Sequence, residues 1–396
     1  MNIILPQVED SFQKLKNYCE GEQFRGWDPF DGLTSKVFQS IPLIRKNKLF
    51  RLFWIQLFKK NPVNLRRIFM IKKDINPKGL GLFLNGYCNL YKMNPKKEFL
   101  EKIKTLTDHI ISLKTAGYSG SCWGYNFDWQ SKAFFQPKYT PTIVVSSFIG
   151  YALLDAYDIT GSEEYKTNAL EVCDFFLKDL NRTYDKDGDF AFSYSPYDNT
   201  QVFNASLLGS RMLSRAYSYT KNPDYLSNAR KLVAYCCKHQ RSDGSWTYSP
   251  LPFHQWIDSF HTGYNLECIH EYQKYSSDNK FKENIDLGLR YYLDNFFMSS
   301  GMPKYYNNSI YPIDMHAPAQ LVVTLSKLDK LKENIDLISK VLCWTIENMQ
   351  DRKGYFYYQK KRIFSIKIPY MRWSQAWMFY ALTEYLYNEK RINQTN

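Results

Sequence analysis

Apolar residues recur with helical spacing from about residue 79 onward, and the apolar segments themselves recur along the chain. Six strongly apolar helices are predicted to open near residues 79, 140, 202, 260, 315 and 372. Equivalent positions within them, taken as 82, 142, 203, 260, 316 and 373, are 56 to 61 residues apart. Each interval also contains a more polar helix, such as SEEYKTNALEVCDFFLKDL, followed by a turn of glycine and aromatic residues, such as DGSWTYSP. This periodicity indicates a repeat of helical hairpins.

Six helical hairpins can close into a ring, in which an outer layer of helices surrounds an inner barrel. The pattern therefore predicts an all-α protein with an (α/α)6 toroid over residues 76–390. An open solenoid is the alternative, but its repeats are usually shorter and it ends in polar caps. In the toroid, the aromatic turns would lie at one end of the barrel, beside the free N–H groups and positive dipole ends of the inner helices. An aromatic mouth of this kind is suited to an anionic glycan.

Residues 1–75 have a different pattern and are predicted to form an N-terminal basic amphipathic helical extension. The stretch 35–73 combines bulky apolar residues with many Lys and Arg residues and contains no acidic residue. Such a segment is typical of a helix that lies on an anionic membrane surface. The alternative is a helix that packs beside the toroid and leaves its cations in solvent.

Composition narrows the function classes. Aromatic residues make up 17% of the 396 residues, which exceeds the needs of a core and suits a carbohydrate-binding surface. The net charge of +13 predicts an anionic partner, but no RGG run or RNP-like segment supports nucleic acid. The eight cysteines are scattered without a CxxC pair, and no secretory signal is evident. We therefore expect reduced thiols and a cytoplasmic protein, located either in the cytosol or at the inner face of the cytoplasmic membrane.

Two consecutive repeats place Asp and His at the start of an inner helix. Asp258 precedes His261 in IDSFH, and Asp314 precedes His316 in IDMH. A helix cap with a nearby histidine would explain one of these pairs. Two pairs on one rim favour a catalytic role, because Asp and His form a natural acid–base pairing near neutral pH.

The segment CWGYNFDWQ offers Asp128 as a further catalytic candidate and aromatic side chains as a platform for sugar rings. The alternative is a plug of core aromatics in which Asp128 pairs with Lys or Arg. The candidates for substrate binding are Trp123, Tyr125, Trp129, Tyr194, Asn204, Trp246, Tyr264, Arg372 and Trp373.

Three of these binding candidates have specific alternatives. Trp246 lies in QRSDGSW, which matches the Q-x-x-D-G-x-W pattern that links repeats in terpene-cyclase and prenyltransferase toroids. Asn204 could cap its helix, and Arg372 could form an interhelical ion pair instead of binding a carboxylate or phosphate. No HExxH, GxGxxG, P-loop or GxSxG motif occurs, so no metal or other cofactor is expected.

The series CWGYNFDWQ, TPTIVVSSFIGYALLDAY, QRSDGSW, WIDSFHTGYNLE and YPIDMHAPAQ resembles the VpsJ-type bacterial polysaccharide-biosynthesis proteins over about residues 60–385. The resemblance implies a role in making capsule, exopolysaccharide or lipopolysaccharide. It also implies kinship with the six-hairpin glycosidase-like toroids, which include glycoside hydrolases, polysaccharide lyases and sugar epimerases. It implies no individual catalytic residue.

Two classes of function follow from these observations. The first is an enzyme acting on an anionic or lipid-linked saccharide. Hydrolysis would need two carboxylates, from Asp128, Asp258 and Asp314. Elimination or epimerisation would need a base and an acid, such as His261 with Tyr264 or Tyr194, and a cation such as Arg372. The second class is a non-catalytic glycan-binding or scaffold protein of the polysaccharide assembly machinery, with an aromatic mouth but no converging acid–base pair.

Overall fold

The computed structural model describes residues 4–132 and 134–395, and helices dominate them. The α-helices are α1 (Leu5–Gly21), α2 (Lys36–Gln39), α3 (Pro42–Lys46), α4 (Lys48–Lys60), α5 (Pro77–Met93), α6 (Lys97–Ser112), α7 (Ile143–Thr160), α8 (Glu163–Asp179), α9 (Phe203–Thr220), α10 (Pro223–Lys238), α11 (Ser259–Ser276), α12 (Lys282–Phe296), α13 (His316–Lys327), α14 (Ile335–Met349) and α15 (Ala376–Thr395). The short strands are β1 (Trp129–Gln130), β2 (Phe135–Gln136), β3 (Arg182–Tyr184), β4 (Phe190–Phe192), β5 (Ile313–Asp314), β6 (Gln359–Lys360) and β7 (Ser365–Ile366). Strands β1–β2 and β3–β4 form antiparallel pairs, and β5–β6–β7 form an antiparallel sheet.

The inner barrel is a closed ring of six helices. Helices α5, α7, α9, α11, α13 and α15 each pack against the next in this order, and α15 packs against α5. Five outer helices, α6, α8, α10, α12 and α14, alternate with them along the chain, and one continuous hydrophobic core fills both layers. The predicted (α/α)6 toroid is confirmed, and three of its inner helices, α9, α11 and α13, begin within one residue of the predicted openings.

Side-chain caps explain why several inner helices begin where they do. Asn76 accepts hydrogen bonds from backbone N–H groups at the start of α5, and Pro77 occupies the first helical position, where a missing N–H costs nothing. Thr142 caps α7 in the same way. Helix α15 follows a single π-helical turn, Met371–Gln375, a feature that is frequent at functional sites.

The N-terminal segment has two roles in the toroid. Its first helix belongs to the outer layer, and the residues that follow cross the end of the barrel at which the inner helices begin. Helix α1, which the sequence analysis placed in an extension, packs against α14 and α15 and takes the place of the sixth outer helix. Residues 26–34 then run beside the start of α15, where the backbone N–H of Met371 donates to the carbonyl of Trp27. Helix α4 packs on the 310 turn Asp31–Thr34, at the end of this segment, and on β1. The extension therefore contributes directly to the toroid and its mouth.

Helix α7 is the one described helix that is long and apolar enough to cross a membrane. Most of it is buried in the inner ring, as expected of a core helix. All eight cysteines are free, and seven of them are buried.

Candidate functional site

Aromatic side chains surround the end of the barrel at which the inner helices begin. This aromatic rim consists of half-buried rings from the N-terminal segment and from the turns that lead into the inner helices, namely Phe30, Trp129, Phe134, Tyr248, Trp256 and Tyr305. Neighbouring rings are in contact, with Phe30 against Trp129 and Tyr248 stacked on Trp256 at 4.6 Å between centroids. Lys59 lies over the face of Phe30, and burial lowers the pKa of this lysine to about 8.

His261 is oriented by Asp258 at the edge of this rim. One carboxylate oxygen of Asp258 caps α11 by accepting the backbone N–H of His261 at 3.0 Å. The other oxygen lies 2.7 Å from Nδ1 of the imidazole and also accepts from the indole of Trp256. Since an ionised carboxylate only accepts, Nδ1 carries the hydrogen and Nε2 is free to accept a proton. The His261 side chain keeps 20% of its exposure, whereas Asp258 is buried.

The second Asp/His pair is built differently. The ring of His316 does not contact Asp314; its Nε2 lies 2.7 Å from the hydroxyl of Tyr264. Asp314 is fully buried and accepts three hydrogen bonds, from the backbone N–H of His316 and the side chains of Trp373 and Gln359. The two pairs are therefore not equivalent. The carboxylate of Asp314 has a structural role, because it joins the start of α13 to Trp373 and Gln359.

Tyr264 lies between the two imidazoles. Its ring centroid is 6.0 Å from that of His261 and 5.7 Å from that of His316. Burial lowers the pKa of His316 well below its usual value, and the positive charge of Lys78 lowers it further, so this imidazole is neutral. Burial also raises the pKa of Tyr264 well above its usual value, so its hydroxyl keeps its proton. The candidate base, His261, and the candidate acid, Tyr264, thus lie side by side.

Arg372 is already bound by a carboxylate that the sequence analysis did not single out. Asp28 accepts from Nε of Arg372 at 2.6 Å and from its Nη2 at 2.8 Å, and both side chains are buried. The residue predicted to bind a substrate carboxylate is therefore occupied by the N-terminal segment. The predicted alternative, an ion pair, is what the structure contains, although the partner lies outside the helical repeat.

Lys78 is a buried cation at the centre of the barrel mouth. Its Nζ lies 4.1 Å from the ring centroid of Phe148 and 5.4 Å from that of Trp377, and the part of the chain that the structure describes offers it no hydrogen-bond acceptor or ion pair. Burial lowers the pKa of Lys78 well below its usual range, and Arg372 and Arg211 lower it further. Asp28 and Glu267 neutralise the two arginines, so Lys78 is the member of this group of three basic residues that has no carboxylate partner among the described residues.

Four of the predicted site residues lie away from this cluster or are committed to the core. Asp128 accepts the backbone N–H of Lys138 and the amide of Gln39, outside the group around Tyr264. The indoles of Trp123 and Trp246 are buried and donate to backbone carbonyls of the preceding outer helices, so neither is a sugar platform. Asn204 is buried at the second position of α9 and does not cap it, because Val202 occupies the cap position. Its side-chain oxygen has no partner among the described residues.

The aromatic residues Tyr125, Tyr194, Trp129 and Trp373 do meet at the mouth. The hydroxyls of Tyr125 and Tyr194 are 3.4 Å apart, and Trp129 lies against Tyr194. Trp373 is bonded to Asp314 and lies near Phe30. These side chains form the inner side of the aromatic rim, as the sequence predicted.

A polar cavity of about 410 Å³ lies beside the Arg372–Asp28 pair. Its wall includes Lys36, Lys72 and Lys138, none of which has an acidic partner among the described residues. These charges favour the approach of an anionic ligand to this side of the rim. The described residues contain no group of three or more His, Cys, Asp and Glu side chains that could hold a metal ion.

Several solved structures share this architecture. The chain is similar to the cellobiose 2-epimerase from Bacillus thermoamylovorans, with a TM-score of 0.62 and 11% identity over 80% of this chain and 88% of that one. The fold they share with this chain is the (α/α)6 toroid. A GH76 α-mannanase from Bacteroides thetaiotaomicron matches with a TM-score of 0.60 and 13% identity, over 80% of this chain and 87% of that one. A polysaccharide lyase matches with a TM-score of 0.61 and 12% identity, over 99% of this chain and 98% of that one.

At these identities the similarity establishes the fold alone. No family model and no curated protein matches the sequence.

Lys78 was not among the predicted site residues, although the sequence predicted that the first inner helix opens near residue 79. The available signal was the Asn76–Pro77 pair, which is a cap followed by proline at the first helical position. Asp28 carried no comparable signal, since it lies outside the repeat and meets Arg372 only through the path of the N-terminal segment.

Proposed function

We propose that this protein is an enzyme that moves a proton at a carbon atom of an acidic saccharide, in an epimerisation or an elimination. The observation that carries the proposal is the arrangement of His261, whose Nδ1 is held by Asp258 and whose side chain remains partly exposed at the mouth. A carboxylate that fixes the tautomer of an imidazole in this way prepares the other nitrogen as a general base.

Hydrolysis has less support, because the three carboxylates predicted for it are engaged elsewhere. Glycoside hydrolysis uses two carboxyl groups on opposite sides of the scissile bond. Asp258 caps α11 and orients His261, Asp314 is fully buried under three donors, and Asp128 lies outside the cluster. No second carboxylate faces His261 from these positions.

An acidic substrate fits the charge at the mouth. A proton on the carbon next to a carboxylate becomes removable when a nearby cation stabilises the enolate that forms. Lys78 supplies an unpaired cation of this kind beside the Tyr264 ring, at 5.6 Å from its centroid. The net charge of +13 would also draw such a substrate to the protein.

In the proposed reaction, Nε2 of His261 removes the proton from the carbon, and the electron pair of that bond moves into the carboxylate to form an enolate. The hydroxyl of Tyr264 then supplies a proton. Delivery to the opposite face of the carbon gives the epimer, and delivery to the departing glycosidic oxygen gives an unsaturated sugar. After product formation His261 carries the extra proton and Tyr264 is a tyrosinate; the cycle closes when the proton on Nε2 of His261 returns to Tyr264 through water that enters as the product leaves. The neutral imidazole of His316 holds the Tyr264 oxygen in place through their hydrogen bond.

The resemblance to VpsJ-type proteins supports a place for this reaction in the biosynthesis of a bacterial surface polysaccharide. We extend the proposal to a cytoplasmic step on an anionic or lipid-linked intermediate.

Incubation with uronate-containing oligosaccharides in D2O tests this function. Epimerisation predicts deuterium at the carbon next to the carboxylate without chain cleavage. Elimination predicts new ultraviolet absorbance from a double bond conjugated to the carboxylate. New reducing ends without unsaturation would instead indicate hydrolysis, and tight binding without any reaction would indicate a glycan-binding protein.

A further inference from the structure

Exposed bulky apolar side chains are confined to one end of the molecule. In the described part of the chain, every large hydrophobic residue that is exposed lies either between residues 41 and 70 or in a turn that leads into an inner helix. The outer helices α6, α8, α10, α12 and α14 present none. A scattered distribution would need no explanation, but a concentration on one face marks an interaction surface.

The densest part of this surface is formed by α3, α4 and the segment that follows. Leu43 is 87% exposed, Leu49 74% and Phe53 62%. The opposite side of α4 is anchored, because Ile55 and Phe58 are buried against the protein. The helix therefore has one face committed to the fold and one apolar face that the fold leaves uncovered.

A second element extends the surface. The tip of the β6–β7 hairpin carries Ile363, which is 87% exposed, and Phe364. The hydroxyl of Tyr370, just after this hairpin, donates to the carbonyl of Phe58 in α4, so the segment that follows the hairpin meets this helix. Two separate parts of the chain thus present aliphatic and basic side chains together.

The chemistry of these residues selects the partner. Sugar rings stack on flat aromatic faces, which Leu43, Leu49 and Ile363 lack. Residues 35–73 contain no acid, and Arg45, Lys46 and Lys60 are exposed without an acidic partner among the described residues. Apolar side chains that insert at the headgroup level, flanked by cations, match an anionic bilayer.

We propose that α3, α4 and the β6–β7 tip form a docking face for an anionic lipid membrane. The face lies on the same end of the toroid as the aromatic rim, so a docked protein would present its mouth near the lipid surface. If the proposed function holds, this orientation suits a saccharide carried on a lipid anchor.

Sedimentation of the full-length protein with vesicles tests the docking face. Vesicles of phosphatidylcholine alone are compared with vesicles that also contain phosphatidylglycerol. We expect binding to the anionic vesicles, weakened by salt because the attraction of exposed charges is screened. The double variant Leu49→Gln, Phe53→Gln should lose this binding. The double variant Arg45→Gln, Lys46→Gln should reduce it by about ten- to thirty-fold.

The control variant Lys97→Gln, Lys104→Gln removes the same charge from the outer helix α6 and should bind as the unmodified protein does. All substituted side chains are exposed, and an unchanged urea midpoint confirms that each variant is folded. Absence of binding to anionic vesicles at low salt would overturn the proposal. A dimer that Leu49→Gln, Phe53→Gln abolishes, without vesicle binding, would assign the face to a second copy. Turnover of a soluble saccharide is measured separately, so failure here leaves the proposed reaction testable.

Discussion

Replacement of Lys78 by methionine should make the ligand-free protein more stable. Methionine has nearly the length of lysine, carries no charge and makes favourable contacts with aromatic rings. Lys78 is 4% exposed and has no acidic partner among the residues that the structure describes, so burying it costs stability. A substitution that stabilises the fold while removing a cation from the mouth would identify Lys78 as a functional residue.

The magnitude follows from two opposing effects. The rings of Phe148, Trp377 and Tyr264 lie 4.1, 5.4 and 5.6 Å from Nζ, and a desolvated cation over an aromatic face gains about 2 kcal/mol. Burial of an ammonium group costs several kcal/mol, and replacing buried ions by apolar groups of similar size stabilises proteins by about 1–4 kcal/mol. We therefore expect Lys78→Met to raise the free energy of unfolding by roughly 1–3 kcal/mol at pH 7.

The pH dependence has a defined sign. The pKa of Lys78 is lowered by burial in the folded protein and returns to about 10.4 in the unfolded chain. Between these two values the unfolded state binds more protons, so the stability of the unmodified protein rises with pH. The advantage of Lys78→Met should be constant below the lowered pKa and should shrink as the pH rises toward about 10.

Urea midpoints of the two proteins, measured in parallel from pH 7 to about pH 10, check both statements. The control is Lys104→Met on the exposed side of α6, which should change stability by less than about 0.5 kcal/mol. If Lys78→Met instead lowers the free energy of unfolding by more than about 1 kcal/mol, the contacts of the ammonium group with the surrounding aromatic rings outweigh the cost of burying it. That result would refute the proposal that Lys78 is kept in the mouth to bind an acidic substrate.

Two further predictions concern the carboxylates of the site. Asp28→Ala should destabilise the protein by about 3–5 kcal/mol, because it leaves Arg372 charged and buried, and the double variant with Arg372→Met should recover most of this loss; a urea midpoint that hardly moves in the single variant would contradict the buried pair. Asp258→Asn should keep the cap of α11 and cost less than about 1 kcal/mol, yet lower turnover by about 10²- to 10⁴-fold, because it removes the carboxylate charge beside Nδ1 of His261. Rates on a uronate-containing oligosaccharide check this, and unchanged turnover in a folded Asp258→Asn variant would remove His261 as the base.

The repeat was predictable because each inner helix must be apolar on nearly all sides, and each outer helix on one side only. The spacing of the apolar residues reflects that contrast, and it located the starts of α9, α11 and α13 to within one residue. The pairing of Asp258 with His261 was predictable for a different reason. Both the cap and the contact with the imidazole join residues within one helical turn, so neighbouring positions in the sequence already indicate them.

Contacts between distant parts of the chain could not be predicted in this way. Asp314 repeats the local pattern of Asp258. Its carboxylate oxygens nevertheless accept hydrogen bonds from Trp373 and Gln359, which lie 59 and 45 residues later in the sequence. Asp28 reaches Arg372 across more than three hundred residues of sequence. A single sequence has no periodic signal for such pairs, because they depend on how the N-terminal segment crosses the rim.

Solvent exchange at a single carbon tests the central claim most directly. The unmodified protein and His261→Gln are incubated with the same uronate-containing oligosaccharide in D2O, and deuterium at the carbon next to the carboxylate is followed by NMR. The proposed base predicts rapid incorporation with the unmodified protein and loss of it in a folded His261→Gln variant that still binds the saccharide. Equal incorporation by both proteins, or binding without incorporation by either, would contradict the account.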